Sequence, residues 1–235
     1  MCTVSYLPLS QDEFVLTSNR DESPKRSPLG LEFDGDGSLL LPREPQKGGT
    51  WICAAQTNRL VCLLNGAFDR HKHEPPYSKS RGIVVLDFFK YKEATAFFRD
   101  YDLDGVEPFT MVIYDNGDLY EFRWDETTKH MKALDRQQPY IWSSSTLYTA
   151  EVKQMRQEWF ADWRKTQPQT AESILNFHQT AGIGDKENDL IMERYDGILK
   201  TVSITTVKRK TDHFEMTYND LIHQERFTQQ LPINA

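Results

Sequence analysis

The second residue of the chain is a cysteine, and removal of Met1 would leave its thiol and a free α-amine on one carbon. Initiator Met is trimmed when the next side chain is small, and that of Cys2 is small enough. Such an aminothiol holds a nucleophile and its own base. The ordinary pKa of an α-amine, about 7.7 to 8.0, lies close enough to that of a thiol, about 8.5, for proton exchange near neutrality. An N-terminal amine is a known activator of an adjacent weak nucleophile. The densest polar cluster of the chain is Thr17-Ser18-Asn19-Arg20-Asp21-Glu22-Ser23. An Arg beside a thiol favours thiolate, and a carboxylate beside an α-amine favours and orients the ammonium. On charge content alone, a solvated loop with a capping Asp accounts for the same residues.

The neighbouring segments decide whether these groups meet. Residues 2–8 and 13–19 read as two strands joined by a polar turn, and such a hairpin sets the end of its second strand beside the start of its first. A Pro/Gly/Asp-rich connection and the short apolar run Ser38–Leu41 follow. Residues 50–55 and 60–65 form a second hairpin about Thr57-Asn58, each arm an apolar run bounded by turn residues. Helices are predicted over 81–91 and 92–100. Residues 109–114 and 119–124 are strands about the Asp115-Asn116-Gly117-Asp118 turn. One or two short strands then end at Tyr140–Ser143. Helix 149–166 carries Val152, Met155, Trp159 and Trp163 at spacings of three and four. Helix 170–180 stops at Gly182, and strands 201–207 and 213–218 close the chain. Two helical layers flanking largely antiparallel sheets would bury all these faces, in one domain over 1–235.

Composition describes an ordinary globular chain: 235 residues, 38% hydrophobic and 27% charged. A net charge of -7 argues against nucleic acid as the main partner. No apolar run approaches the roughly 20 residues of a membrane span, and the N-terminus lacks a signal peptide, so the expected location is cytoplasmic. Three cysteines suit a reducing compartment, with Cys53 and Cys62 read as small core residues. No metal site is expected: His71-Lys72-His73 reads as exposed loop, and Asp34-Gly35-Asp36-Gly37 lacks the later Glu of a calcium loop. The aromatics of Tyr140–Trp142, taken as exposed, and the acidic surface are compatible with a homodimer.

Met1-Cys2-Thr3, then Asn19-Arg20-Asp21-Glu22, Gly48-Gly49-Thr50-Trp51, a strand ending Leu63-Leu64-Asn65, and Ser80-Arg81-Gly82 opening a helix resemble, in that order, the NRDE or TANGO2 family. That family is placed with N-terminal nucleophile (Ntn) hydrolases of the penicillin V acylase and choloylglycine hydrolase type. The resemblance implies an α+β fold, a four-layer αββα sandwich of mostly antiparallel sheets, acting on a linear acyl-amide of a small molecule without a cofactor. It makes Cys2 the nucleophile, with Asp21 orienting the amine and Arg20 stabilising the thiolate or binding substrate. Asn65 is an oxyanion donor through its side-chain amide or, equally, a turn residue before Gly66. Asn19, Trp51 and Ser144 are assigned to substrate binding, Trp51 as core or pocket wall. Two departures stand out. Trp142-Ser143-Ser144-Ser145 puts Ser144 where the family often has Asn, and the late strand Lys200–Thr205 offers no Arg. Both favour the rival reading of a weak or inactive carrier for haem, an acyl-lipid or acyl-CoA.

Overall fold

The computed structural model describes residues 3–234. Strands β1 (Thr3–Pro8) and β2 (Phe14–Glu22) form the N-terminal hairpin, followed by the short β3 (Glu32–Phe33) and β4 (Leu39–Leu41). Strands β5 (Ile52–Ala55) and β6 (Arg59–Asn65) turn about Asn58, whose φ of 56° is one that Asn tolerates. Helices α1 (Arg81–Phe88) and α2 (Ala94–Asp100) precede β7 (Phe109–Asp115) and β8 (Asp118–Trp124). In the tight turn between these strands, Asn116 and Gly117 both have positive φ, as a two-residue hairpin loop requires. Strands β9 (Lys129–Leu134) and β10 (Tyr140–Ser143) lead to α3 (Ala150–Thr166) and α4 (Ala171–Thr180). Each of these helices starts at a Thr whose hydroxyl caps a backbone amide, Thr149 for Val152 and Thr170 for Ser173. The last strands are β11 (Glu193–Arg194), β12 (Leu199–Arg209), β13 (His213–Asp220) and β14 (Glu225–Pro232).

Two antiparallel sheets result. One runs β10-β1-β2-β12-β13-β14, with β11 on β12; the other runs β3-β4-β5-β6-β7-β8-β9. Side-chain alternation gives each strand two destinations. Val4, Tyr6, Phe14 and Leu16 meet Ile52, Leu60, Cys62 and Val112 between the sheets. Leu7 and Val15 point the other way, onto Phe160, Trp163, Ile174 and Phe177 of α3 and α4. On the second sheet, Val61, Leu63, Met111 and Ile113 pack on Val84, Phe88 and Phe97 of α1 and α2. The layers are therefore helix, sheet, sheet, helix, the αββα order expected. Cys53 and Cys62 are fully buried core residues.

Beyond the short strands β3 and β11, which the sequence reading did not include, four details differ from it. Strand β14 was not anticipated; its side chains are mostly exposed, so no apolar alternation marks it. The buried face of α3 is Arg156, Phe160 and Trp163, one step round from the expected stripe. Helix α4 ends as expected, but Gly182 is needed for space: a Cβ there would meet the Asp189 carboxyl carbon at 2.1 Å. The stretch Tyr140–Trp142 is not an exposed patch, since Trp142 is buried and Tyr140 packs on the inter-sheet core.

Candidate active site

Cys2 lies outside the described residues, so the site is built from what surrounds the first described residue, Thr3. Strand β1 is central: Thr3 pairs with Asn19 on β2 and with Ser143 on β10. On its far side β2 pairs with β12, where the register slips between Thr201 and Ser203, setting Thr201 opposite Asp21 and Ser203 opposite Arg20. A bulge of this kind re-aims side chains at a strand end. Here it brings the Thr201 hydroxyl to Asp21 Oδ1 at 2.7 Å.

Arg20 and Asp21 are consecutive, so they leave β2 on opposite faces. Arg20, 2% exposed, lies on the inter-sheet side, its guanidinium 4.3 Å above the Trp51 ring and donating to the Arg26 carbonyl at 2.8 Å. Asp21, 1% exposed, lies on the helix side, where Oδ2 accepts from the Tyr148 hydroxyl at 2.6 Å. Burial, and then the Asp21 charge, push the Tyr148 phenol well above its ordinary pKa, so it stays a donor.

The Tyr148 ring lies 3.6 Å from the guanidinium carbon of Arg156. Arg156 is almost completely buried on α3 and donates to the Thr3 hydroxyl and to the carbonyls of Asn188 and Asp189. Sequence reasoning missed Tyr148, Arg156 and Thr201. The late strand Lys200–Thr205 offers no Arg, and the buried Arg156 lies on α3, behind the sheet. An Arg on the apolar stripe of α3 was the available signal.

Asn19, expected at the substrate, engages its whole amide with the helical layer. Nδ2 donates to the carbonyls of His178 and Leu190, and Oδ1 faces His178 Nδ1 at 2.6 Å. Since Oδ1 only accepts, Nδ1 carries the proton and Nε2 takes the Ser5 hydroxyl at 2.7 Å. Complete burial, and then Arg156, push His178 down to about 3, so it is neutral near pH 7.

On the inter-sheet side a cavity of about 530 Å³ opens, lined by Arg20, Trp51, Asn65 and Arg81 among others. Two glycines shape its wall. A Cβ on Gly49 would meet the Gly82 backbone at 2.6 Å, so the Gly49–Thr50 chain packs directly on the start of α1, where the Thr50 amide donates to the Gly82 carbonyl. Trp51 lines this cavity and also packs in the inter-sheet core. Asn65 ends β6, and Gly66 follows at φ 81°, so Asn65 does precede a turn. Its Oδ1 is sealed from solvent with no partner among the described residues. Its carbonyl accepts the Ser144 hydroxyl at 2.8 Å, which ties the two sheets together beside the cavity. Ser144 is buried and does not line that cavity.

At the mouth, Glu107 takes Arg81 at 3.0 Å, His71 at 3.1 Å and His73 at 3.3 Å. Among the described residues no group of three or more His, Cys, Asp or Glu is placed to hold a metal ion. No described helix is long and apolar enough to cross a membrane.

Among solved structures, the chain is similar to the Caenorhabditis elegans N-acylethanolamine-hydrolyzing acid amidase ortholog, with a TM-score of 0.53 at 13% identity over 87% of this chain and 92% of that one. It is also similar to two variants of the conjugated bile acid hydrolase from Clostridium perfringens. One gives a TM-score of 0.53 at 8% identity over 100% of this chain and 97% of that one. The other gives 0.54 at 9% identity over 97% and 92%. These likenesses show the fold, that of the Ntn hydrolases. No curated protein sequence matches. The family model for Transport and Golgi organisation 2 matches residues 1–228, and the protein accordingly belongs to the TANGO2 family.

Proposed function

We propose that the protein is a cysteine amidohydrolase that cleaves a linear acyl-amide of a small molecule through an acyl-enzyme on Cys2. The observation that carries this reading is the placement of Arg20 and Asp21 on opposite faces of β2, at the end of the strand paired with Thr3 and beside the cavity. Cys2 directly precedes Thr3 in the sequence. In this reading Met1 is removed, the Cys2 thiolate attacks the amide carbonyl, and the α-amine carries the thiol proton to the leaving nitrogen. Water then displaces the acyl group from sulfur. Asp21 holds the ammonium form, Arg20 stabilises the thiolate or an anionic part of the substrate, and Asn65 faces the developing oxyanion.

Replacement of Cys2 by Ala should lower turnover of any amide substrate by roughly a thousandfold or more, and unchanged turnover sinks the proposal. If the Asn65 amide is the oxyanion donor, Asn65→Ala should cost about 10²–10³ in kcat.

The cavity supports a second reading. Arg20, Arg26, Lys47, Lys79 and Arg81 line it against Glu44 and Glu107, in a chain of net charge -7. This lining suits a carrier for an anionic acyl compound such as acyl-CoA. Binding that is equal in wild type and Cys2→Ala, with no turnover in either, would favour the carrier.

A further inference from the structure

The groups behind the site do more than fill space. Asp21 is a buried carboxylate with one fixed donor on each oxygen, Thr201 at 2.7 Å and Tyr148 at 2.6 Å. A carboxylate offers about four lone-pair sites, so both oxygens can accept once more. Arg156 is a buried cation whose hydrogen-bond acceptors are neutral: the Thr3 hydroxyl and two carbonyls. Its guanidinium rests on the face of Tyr148, the ring whose hydroxyl reaches Asp21. One continuous chain therefore runs from the residue next to Cys2, through α3 and the segment before it, to the carboxylate at the end of β2. A second tie enters at Tyr148, whose amide donates to the carbonyl of Ser144, the residue bonded to Asn65.

We propose that Tyr148 and Thr201 are positioning residues that set the protonation of the Cys2 α-amine by rationing the Asp21 carboxylate, while Arg156 fixes Tyr148 and Thr3 against each other. This rests on the amidohydrolase reading, in which the trimmed amine is the base. Each hydrogen bond to Asp21 spreads its charge and weakens its pull on an ammonium. An amine gripped too tightly stays protonated and cannot accept the thiol proton. Two donors on Asp21 thus leave an oriented amine that still releases its proton near neutral pH.

Several titratable and charged groups pack around this chain. Among the described residues, beyond Asp21, Tyr148 and Arg156 they include Arg20 on the other face of β2, His178 on α4, held neutral, Arg194 on β11, 5.3 Å from the Tyr148 ring, and Asp69, Arg70 and Lys153, which line a small cavity with Tyr148. Strand β12 contributes the Thr201 hydroxyl. Deleting the Tyr148 or the Thr201 hydroxyl removes a donor to Asp21 without changing a charge.

The test is a pH titration of protein carrying ¹³C-labelled cysteine, with the Cys2 ¹³C shifts reporting the amine and the buried Cys53 and Cys62 reporting an intact core. Tyr148→Phe keeps the ring on Arg156, and Thr201→Val keeps the strand. Each should raise the α-amine pKa by about half a pH unit or more, and Thr201→Ser should restore the wild-type value. The acidic limb of amide turnover should move up with it. An amine pKa unchanged in both folded variants overturns the inference alone. A wild-type chain that keeps Met1, with no titrating Cys2 amine, overturns the amidohydrolase reading and the inference with it.

Discussion

The two helical layers cover the two sheets by different means. Among the described residues, the layer of α1 and α2 buries seventeen hydrophobic side chains, six of them Phe, Tyr or Trp. The layer of α3 and α4 buries only seven. In the space between that second layer and its sheet stand buried polar side chains instead: Thr3, Ser5, Asn19, Asp21, Arg156, His178 and Thr201. Apolar packing holds a sheet in place and tolerates small shifts. A hydrogen-bonded network fixes donors and acceptors to within a few tenths of an ångström but costs stability wherever a partner is lost. The polar side of this asymmetry lies on the back of β1 and β2, behind the candidate site.

Two buried arginines put this contrast to the test, with the largest effect expected. Arg59, in the aromatic layer, contacts Asp115 at 3.1 Å and lies 4.2 Å from the Phe88 ring, while Asp115 also caps α2 through the Ala94 amide. Arg59→Met strands a buried carboxylate and should cost about 3–5 kcal/mol, yet leave the reactivity of Cys2 in folded molecules unchanged. Arg156→Met leaves three neutral acceptors unmet and should cost about 3 kcal/mol. It should also slow Cys2 alkylation and turnover about a hundredfold, because Thr3 loses its anchor. Urea unfolding and alkylation kinetics on both variants would dissolve the contrast if they fell together in both measurements.

The polar layer should also give the protein a particular acid sensitivity. His178 has a folded pKa of about 3 against an ordinary value of 6.5. Between those values the unfolded chain takes up a proton that the folded chain refuses. The stability from keeping His178 neutral is therefore fully present above about pH 6.5 and is lost as pH falls toward 3. The slope is up to roughly 1.4 kcal/mol per pH unit. Thermal unfolding from pH 7 to 4 should show this, and His178→Gln should flatten it.

At the surface the effect should nearly vanish. Asp162 and Lys165 pair at 2.9 Å but are both 73% exposed. Lys165→Ala should move stability by less than about 0.5 kcal/mol, measured by the same urea titration.

What could be read along the chain was mostly local. The β1–β2 hairpin follows from two apolar runs and a polar turn, and the layer order follows from the succession of strands and helices. The cluster Asn19–Glu22 stood out because its charges crowd the end of a strand. Which face each side chain takes was harder. Asn19 and Asp21 go to the helices and Arg20 to the cavity, and assigning them requires the pairing of β2 with β12, strands some 180 residues apart in sequence. Tyr148, Thr201 and His178 carry no local signal, since each gains its role from a contact made across 127 to 180 residues. Arg156 was passed over because an Arg counts as polar when a helix stripe is drawn, although here it forms the buried centre of α3. Strand β14 escaped for the opposite reason, having almost no buried face to betray it.

The central claim is that Cys2 is a freed and activated nucleophile, and intact-protein mass spectrometry before and after brief iodoacetamide exposure tests it most directly. The expected result is a mass lacking Met1 and a single fast alkylation mapped to Cys2. A mass retaining Met1, or a Cys2 that reacts no faster than an ordinary exposed thiol, would contradict the account and leave a ligand-binding protein on a hydrolase fold.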